Sequence, residues 1–463
     1  MTKIASKDTG ATLTLEEEYR ATRKKSALLH ERARKVMPSG IEHDARQMKP
    51  FPCYVERAEG GRKWDVDGNE LLDCRSAHAA FILGHNPPEV VAAVTEQLKR
   101  GFHFSACNEN QLQVAELLTK MVPCAEELRF MTTGTEANML AIRLARAYTG
   151  KKKVIKFKGH FHGYWNEGVA GGNPPYNVPM SIGVPKEILD NILLADHNNV
   201  EQVRRLIEED GNVACVILDP SGLMFMFPFK PQRIKEIRQV TAEKGVVLIF
   251  DEVASTFRYG PHGLQGVTGV TPDLATMAKA MGGGLPSSAV MGKREIMELI
   301  AFTDDAKRNR EQRVISQGTH NGNPVVTAAG LAYLKLIANG KPQAYITKLG
   351  TILRKKLNGV IKKHAVPGCV HGYFSMAHID ISHGCPNLGK CNTEDCDCPD
   401  VAILQKGTPA NIRSKLHLAM LINGVDCMGG HFYLNAGLSE QDMDKIADAF
   451  DRSLSRLKME KVL

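Results

Sequence analysis

The chain reads as an α/β protein, with a mainly parallel sheet covered on both faces by helices and a separate α+β region after it. Three observations carry that reading. From about residue 88 helical and strand-like segments alternate. The strand-like segments Val154–Phe157, Val213–Leu218 and Val246–Phe250 are apolar and β-branched, as expected for strands buried on both faces. At 463 residues the chain is too long for one small core, so a large domain with one or two smaller ones is expected.

The elements follow in order. Residues 14–36 read as one charged amphipathic helix that ends before Met37-Pro38-Ser39-Gly40. Lys63 to Asp73 contains an Asp67-Gly68 turn between two short strands. Pro88–Lys99 and Asn110–Lys120 are helical, Leu128–Met131 is a short strand, and a helix runs from Glu136 to Tyr148. Pro231–Lys244 is the helix between the last two apolar strands. From about residue 343 the texture changes to a long helix, Ala344–His364, a strand-rich stretch from Gly372 to Ile381, and helices Ala410–Asn423 and Glu440–Lys458. The domains are expected at 1–75, 76–335 and 336–463, the first joining the last.

Composition is ordinary for a soluble protein, with 43% hydrophobic and 24% charged residues. A net charge of +8 without a Lys/Arg block interleaved with aromatics argues against a nucleic-acid surface. No apolar run approaches the ~20 residues that span a bilayer, and Met1 to Asp8 has no signal-like apolar core. Eleven cysteines without a small-scaffold pattern are expected as reduced thiols, and a cytoplasmic location with them.

Lys279 precedes Gly282-Gly283-Gly284, and Asp251 ends an apolar run 28 positions earlier. A carboxylate at a buried strand end is costly unless paired, and a lysine beside a triple glycine lies where backbone approaches closely. Together they point to pyridoxal 5'-phosphate (PLP), with its aldehyde captured by Lys279 and its ring nitrogen held protonated by Asp251. Thr132-Thr133-Gly134-Thr135-Glu136 turns from strand to helix, which makes either an anion site or a plain helix cap. Gly159-His160-Phe161-His162-Gly163 offers rings for stacking on a planar group or for a buried aromatic cluster.

The order and spacing of these motifs, with Gln317-Gly318-Thr319-His320-Asn321-Gly322-Asn323-Pro324, resemble the class III (subgroup II) aminotransferases of PLP fold type I. Within that class the chain is similar to glutamate-1-semialdehyde 2,1-aminomutase and its aminotransferase relatives. The resemblance implies an aspartate aminotransferase-like large domain with a seven-stranded sheet and a smaller α+β domain drawn from both termini. It also implies a role for each matching residue. Lys279 is the imine partner and proton shuttle, and Asp251 pairs with the ring nitrogen. Gly134 and Thr135 hold the phosphate. Phe161 stacks on the ring, with His162 and Val253 beside it. Thr319 reaches the phosphate of a neighbouring subunit, which makes the expected assembly a homodimer with shared active sites. Arg46 lies where related enzymes grip a substrate carboxylate, although a loop arginine reads equally well there. Arg258 is expected in a structural ion pair.

Two departures favour an aminotransferase, which transfers between small-molecule donor and acceptor, over a mutase, and the intact Lys279 and Asp251 argue against a non-catalytic binding protein. The family's usual Glu-Pro is Asp219-Pro220 in this chain, and Cys427-Met428-Gly429-Gly430-His431-Phe432-Tyr433 lacks the glutamate that aminomutases tend to carry nearby. His383, Cys385, Cys391, Cys396 and Cys398 contain ligands zinc accepts, but the spacing lacks C-x2-C knuckles. No metal is expected there.

Overall fold

The computed structural model describes residues 13–222, 229–381 and 407–463. The described parts of the chain fall into two compact units. One comprises Met1–His78, Ile82–Pro87 and Tyr345–Leu463, and the other Ala79–Phe81 and Pro88–Ala344. Fourteen strands are present among the described residues: β1 Val55–Glu59, β2 Arg62–Asp65, β3 Glu70–Asp73, β4 Glu127–Met131, β5 Lys153–Phe157, β6 Ile192–Ala195, β7 Val213–Leu218, β8 Val247–Asp251, β9 Leu274–Met277, β10 Ser288–Gly292, β11 Gly368–His371, β12 Met376–Ile381, β13 Val425–Asp426 and β14 His431–Tyr433.

The second unit is built on a seven-stranded sheet in the order β4-β10-β9-β8-β7-β5-β6. The strands from β9 to β6 pair in parallel, and β10 runs antiparallel to both β9 and β4. Strands β7 and β8 are buried at every position, which is why Val213–Leu218 and Val247–Phe250 are uninterrupted apolar runs. The helix Gly134–Thr149 packs on the sheet through Leu140, Ala141, Leu144 and Ala145, all buried in the core with Ile217, Ile249 and Val290. Burying a leucine of this kind stabilises the unit by roughly 1.5–3 kcal/mol.

The first unit holds two small sheets. β1, β2 and β3 form an antiparallel meander that β13 joins in parallel. β11, β12 and β14 form a three-stranded antiparallel sheet. Their core unites Leu349, Leu353 and Leu357 of the helix Lys341–His364 with Ile379, Leu416, Phe432 and Phe450.

The single helix expected over residues 14–36 is two, Leu15–Thr22 and Lys24–Ala33. Arg23 breaks it with φ −135° and ψ 51°. The break directs the Arg23 side chain inward, where its guanidinium donates to the Leu421 carbonyl at 2.9 Å and lies 3.4 Å from the Asp65 carboxylate. A straight helix satisfies local periodicity, but a buried guanidinium must find acceptors, and that requirement prevails. No helix among the described residues is long and apolar enough to cross a membrane.

Candidate active site

The ends of β7, β8 and β9 and the segments after β4 and β5 bring the predicted groups together in the second unit. In an open parallel sheet this carboxyl edge is where loops leave the strands and ligands bind. Asp251, the last residue of β8, is buried. Its Oδ2 accepts from Asn138 Nδ2 and contacts His162 Nδ1, both at 2.7 Å, and its Oδ1 accepts from the Val253 backbone N–H at 3.0 Å. Asn138 also donates to the His162 carbonyl at 3.1 Å and accepts from the Thr276 hydroxyl at 2.6 Å. One amide thereby ties the ends of β8 and β9 to the segment after β5. A carboxylate against Nδ1 calls for a histidine proton at that nitrogen. His162 Nε2 is buried and has no hydrogen-bond partner among the described residues.

The turn after β4 is closed by a capping box. Thr133 Oγ1 accepts from the Glu136 N–H at 3.2 Å, and Glu136 Oε2 accepts from the Thr133 N–H at 2.8 Å. The N–H groups of Gly134 and Thr135 are of the kind an α-helix leaves unspent at its positive end. Gly134 has to be glycine, because a Cβ there would stand 2.6 Å from Val253 Cγ1. Gly163, at φ +106°, passes over Thr135, where a Cβ would stand 2.7 Å from Thr135 Oγ1.

Lys279 follows β9 in a short 3-10 turn, Lys279–Gly282, with its backbone in the left-handed region at φ 49°. The cost of that conformation in a non-glycine residue, of order 1–3 kcal/mol, persists only where the surroundings impose it. Burial holds the Lys279 ammonium below its ordinary pKa. The charges of Asp251 and Asp219 oppose that shift, and Arg258 adds to it. Asp219, just past β7, is buried, and its Oδ1 accepts from the Ser221 N–H at 2.8 Å and hydroxyl at 2.5 Å. The shorter acid is thus engaged by its own turn. The Arg258 guanidinium is fully buried and donates to the carbonyls of Ala79 and Phe81 at 3.0 and 2.6 Å.

Sequence reasoning gave no role to Asn138 or Glu252. Asn138 stands one helical turn beyond Gly134, and that i+4 spacing was the available signal. Glu252 is buried beside Asp251. Burial pushes its carboxyl up to about 7 against hydrogen bonds from the Leu264 N–H (2.6 Å) and Gln265 Nε2 (3.1 Å).

Other predicted residues stand apart from this group. The Phe161 side chain is exposed, and so is Thr319, whose carbonyl meets the His103 ring. Among the described residues no hydrogen bond or ring contact joins either to Asp251 or Lys279. Arg46 belongs to the first unit. It is exposed, pairs with Glu42 and borders a cavity of about 410 Å³. Within that cavity wall the Lys63 ammonium sits 3.1 Å from Asp73 and also pairs with Asp426. His383 and Cys385, Cys391, Cys396 and Cys398 lie outside the described residues.

A helix end for an anion, an anchored carboxylate, an unpartnered imidazole nitrogen and a glycine cradle against Val253 fit a planar, phosphorylated cofactor with an amine-reactive aldehyde. Comparison with known proteins agrees. Residues 43–392 match the family described as aminotransferase class-III. The glutamate-1-semialdehyde 2,1-aminomutase 2 of Halalkalibacterium halodurans is 34% identical over 445 residues, 94% of this chain and 99% of that one. An omega-transaminase from Sphaerobacter thermophilus is similar with TM-score 0.82 and 32% identity over 94% of this chain and 98% of the other. A β-phenylalanine aminotransferase from Variovorax paradoxus gives TM-score 0.81 and 26% identity over 97% and 98%.

Proposed function

This chain belongs to the class III aminotransferases, enzymes that depend on PLP, and we propose that it transfers an amino group from an amino-acid or amine donor to a keto acid or aldehyde in a ping-pong cycle. The observation that carries this reading is the placement of a firmly anchored Asp251 at the end of β8 and of Lys279 directly after the neighbouring β9. When bound, PLP supplies an aldehyde that captures amines and a pyridinium ring that draws electron density from the reacting carbon.

The residues then divide the work. The N–H groups of Gly134 and Thr135, with the Thr135 hydroxyl, bind the phosphate at the helix end. Asp251 holds the ring nitrogen in its protonated form, and His162 and Asn138 keep the carboxylate from turning away. Val253 would pack against the ring, and Phe161 would have to turn in from its exposed position to stack on it. Lys279 Nζ takes a proton from the substrate carbon and returns it. Its depressed basicity keeps a larger share of the amine in the free-base form that this task needs. Thr319 serves the phosphate site of a neighbouring subunit in a cytoplasmic homodimer. Arg46 grips the substrate carboxylate through its planar guanidinium.

A second reading, transfer of an amino group within one molecule, is favoured by the named aminomutase relative. Against it stand Asp219, occupied by Ser221, and the absence of a glutamate between Cys427 and Tyr433. The decisive experiment incubates the holoenzyme with a panel of single amino donors and no acceptor. Release of one keto product per active site supports the aminotransferase. Turnover of glutamate-1-semialdehyde without acceptor, and with no keto product from any donor, overturns it in favour of the mutase.

A further inference from the structure

We propose that His371, His378 and Asp380 form a binding site for a divalent transition-metal ion, with zinc as the best match to the donor set. The site arises from strand register. His371 is the cross-strand partner of His378 between β11 and β12, and His378 is the partner of His431 between β12 and β14. Directly opposed residues share a face of the sheet, and Asp380, two positions beyond His378, shares it too.

The donor atoms converge. Asp380 Oδ2 lies 2.9 Å from His371 Nε2 and 3.3 Å from His378 Nε2. One ligand atom from each of the three residues falls within 4.8 Å of the other two, and all three residues are buried. A tetrahedral zinc with bonds of ~2.0–2.1 Å holds its ligand atoms about 3.3 Å apart, so the set closes on an ion with small adjustments. The other carboxylate oxygen, Oδ1, accepts from the Thr408 N–H at 3.1 Å. That bond orients the carboxylate from outside, as ligating carboxylates commonly require, and leaves Oδ2 to the two imidazoles.

A hydrogen-bonded trio without an ion accounts for less. The His378 and His431 rings lie 3.9 Å apart between centroids. Two imidazoles sharing one buried carboxylate oxygen, with a third ring packed against one of them, are costly to bury as they stand. A dication at the shared oxygen explains the convergence. The donors are two imidazole nitrogens and one carboxylate oxygen, with no sulfur. The ion would fasten β11 to β12.

The test uses Zn²⁺ added to metal-stripped PLP holoenzyme that carries no histidine tag. A single tight equivalent per chain is expected, with an upward shift in melting temperature. X-ray absorption at the zinc edge should show a nitrogen and oxygen shell with imidazole scattering. Asp380→Asn and His378→Asn should each weaken zinc binding by about 100-fold or more. The combined Cys385→Ser, Cys391→Ser, Cys396→Ser and Cys398→Ser protein should bind as before. Failure to retain zinc, a sulfur-containing shell, or loss of zinc in the cysteine variant overturns the proposal. The absorption measurement uses unaltered protein, so a variant that fails to fold does not remove the test.

Discussion

His162 Nδ1 and Asp251 Oδ2 stand 2.7 Å apart, and both side chains are buried. The imidazole acts on the carboxylate by holding it in place. His162→Ala leaves a buried acceptor with one partner fewer, a loss of about 1–3 kcal/mol. The expected outcome is weaker PLP retention and a fall of roughly 10–100-fold in kcat/KM. His162→Gln, which keeps a donor, should recover part of both. Equilibrium dialysis of the cofactor and steady-state kinetics read the two effects separately.

Asp251→Asn keeps the shape and removes the charge. The single amide oxygen can accept from Asn138 Nδ2 or from the Val253 N–H but not from both, so part of the loss is positional, and a thermal melt reads it apart from the loss of charge. Turnover should fall by about 10²–10³, the range seen when a fixed electrostatic partner is removed. Single-turnover kinetics with an amino donor checks it.

Lys279→Ala should abolish turnover. Borohydride reduction of the unaltered holoenzyme should place the cofactor mass on the peptide bearing Lys279. Label on any other lysine, or turnover by Lys279→Ala, would contradict the assignment.

Gly134→Ala puts a Cβ 2.6 Å from Val253 Cγ1, and the crowding should cost about 1–3 kcal/mol. In contrast, a Cβ at Gly359, within the helix Lys341–His364, meets nothing within 4 Å. Gly359→Ala should therefore stabilise by roughly 0.5–1 kcal/mol. Thermal melts of the two proteins should move in opposite directions.

Glu252 sets a pH dependence. Its carboxyl is raised from 4.5 to about 7, chiefly by burial. Between those values the unfolded chain has released a proton that the folded chain still holds, so stability falls as pH rises. The contribution, of order 3 kcal/mol, is present in full below about pH 4.5 and lost as pH passes through about 7. Glu252→Gln should flatten that part of the stability profile in denaturant titrations.

The sheet was legible in the chain because burial on both faces writes uninterrupted apolar runs, as in Val213–Leu218 and Val247–Phe250. β6, β9 and β10 escaped notice. They are short, and Leu274–Met277 and Ser288–Gly292 include Thr, Ser and Gly whose burial depends on sheet neighbours. Lys279 and Asp251 stood out in the sequence because each residue conflicts with its local context unless a third group reconciles them, and the structure sets them after neighbouring strands β9 and β8. Asn138 was hidden, because an asparagine in a helix reveals its partners only when β8, β9 and the segment after β5 come together. The histidine row of β11, β12 and β14 was equally hidden. Its members are up to 60 positions apart and are brought together by register alone.

The left-handed backbone at Lys279 has an evolutionary consequence. Glycine and asparagine occupy that conformation at less cost than lysine does, so the backbone itself favours losing the amine. In a descendant lineage released from amine chemistry, drift at position 279 should run first to glycine or asparagine. Asp251, satisfied by three protein donors, should persist for longer. The order of decay at these two positions would record when a lineage stopped being an enzyme.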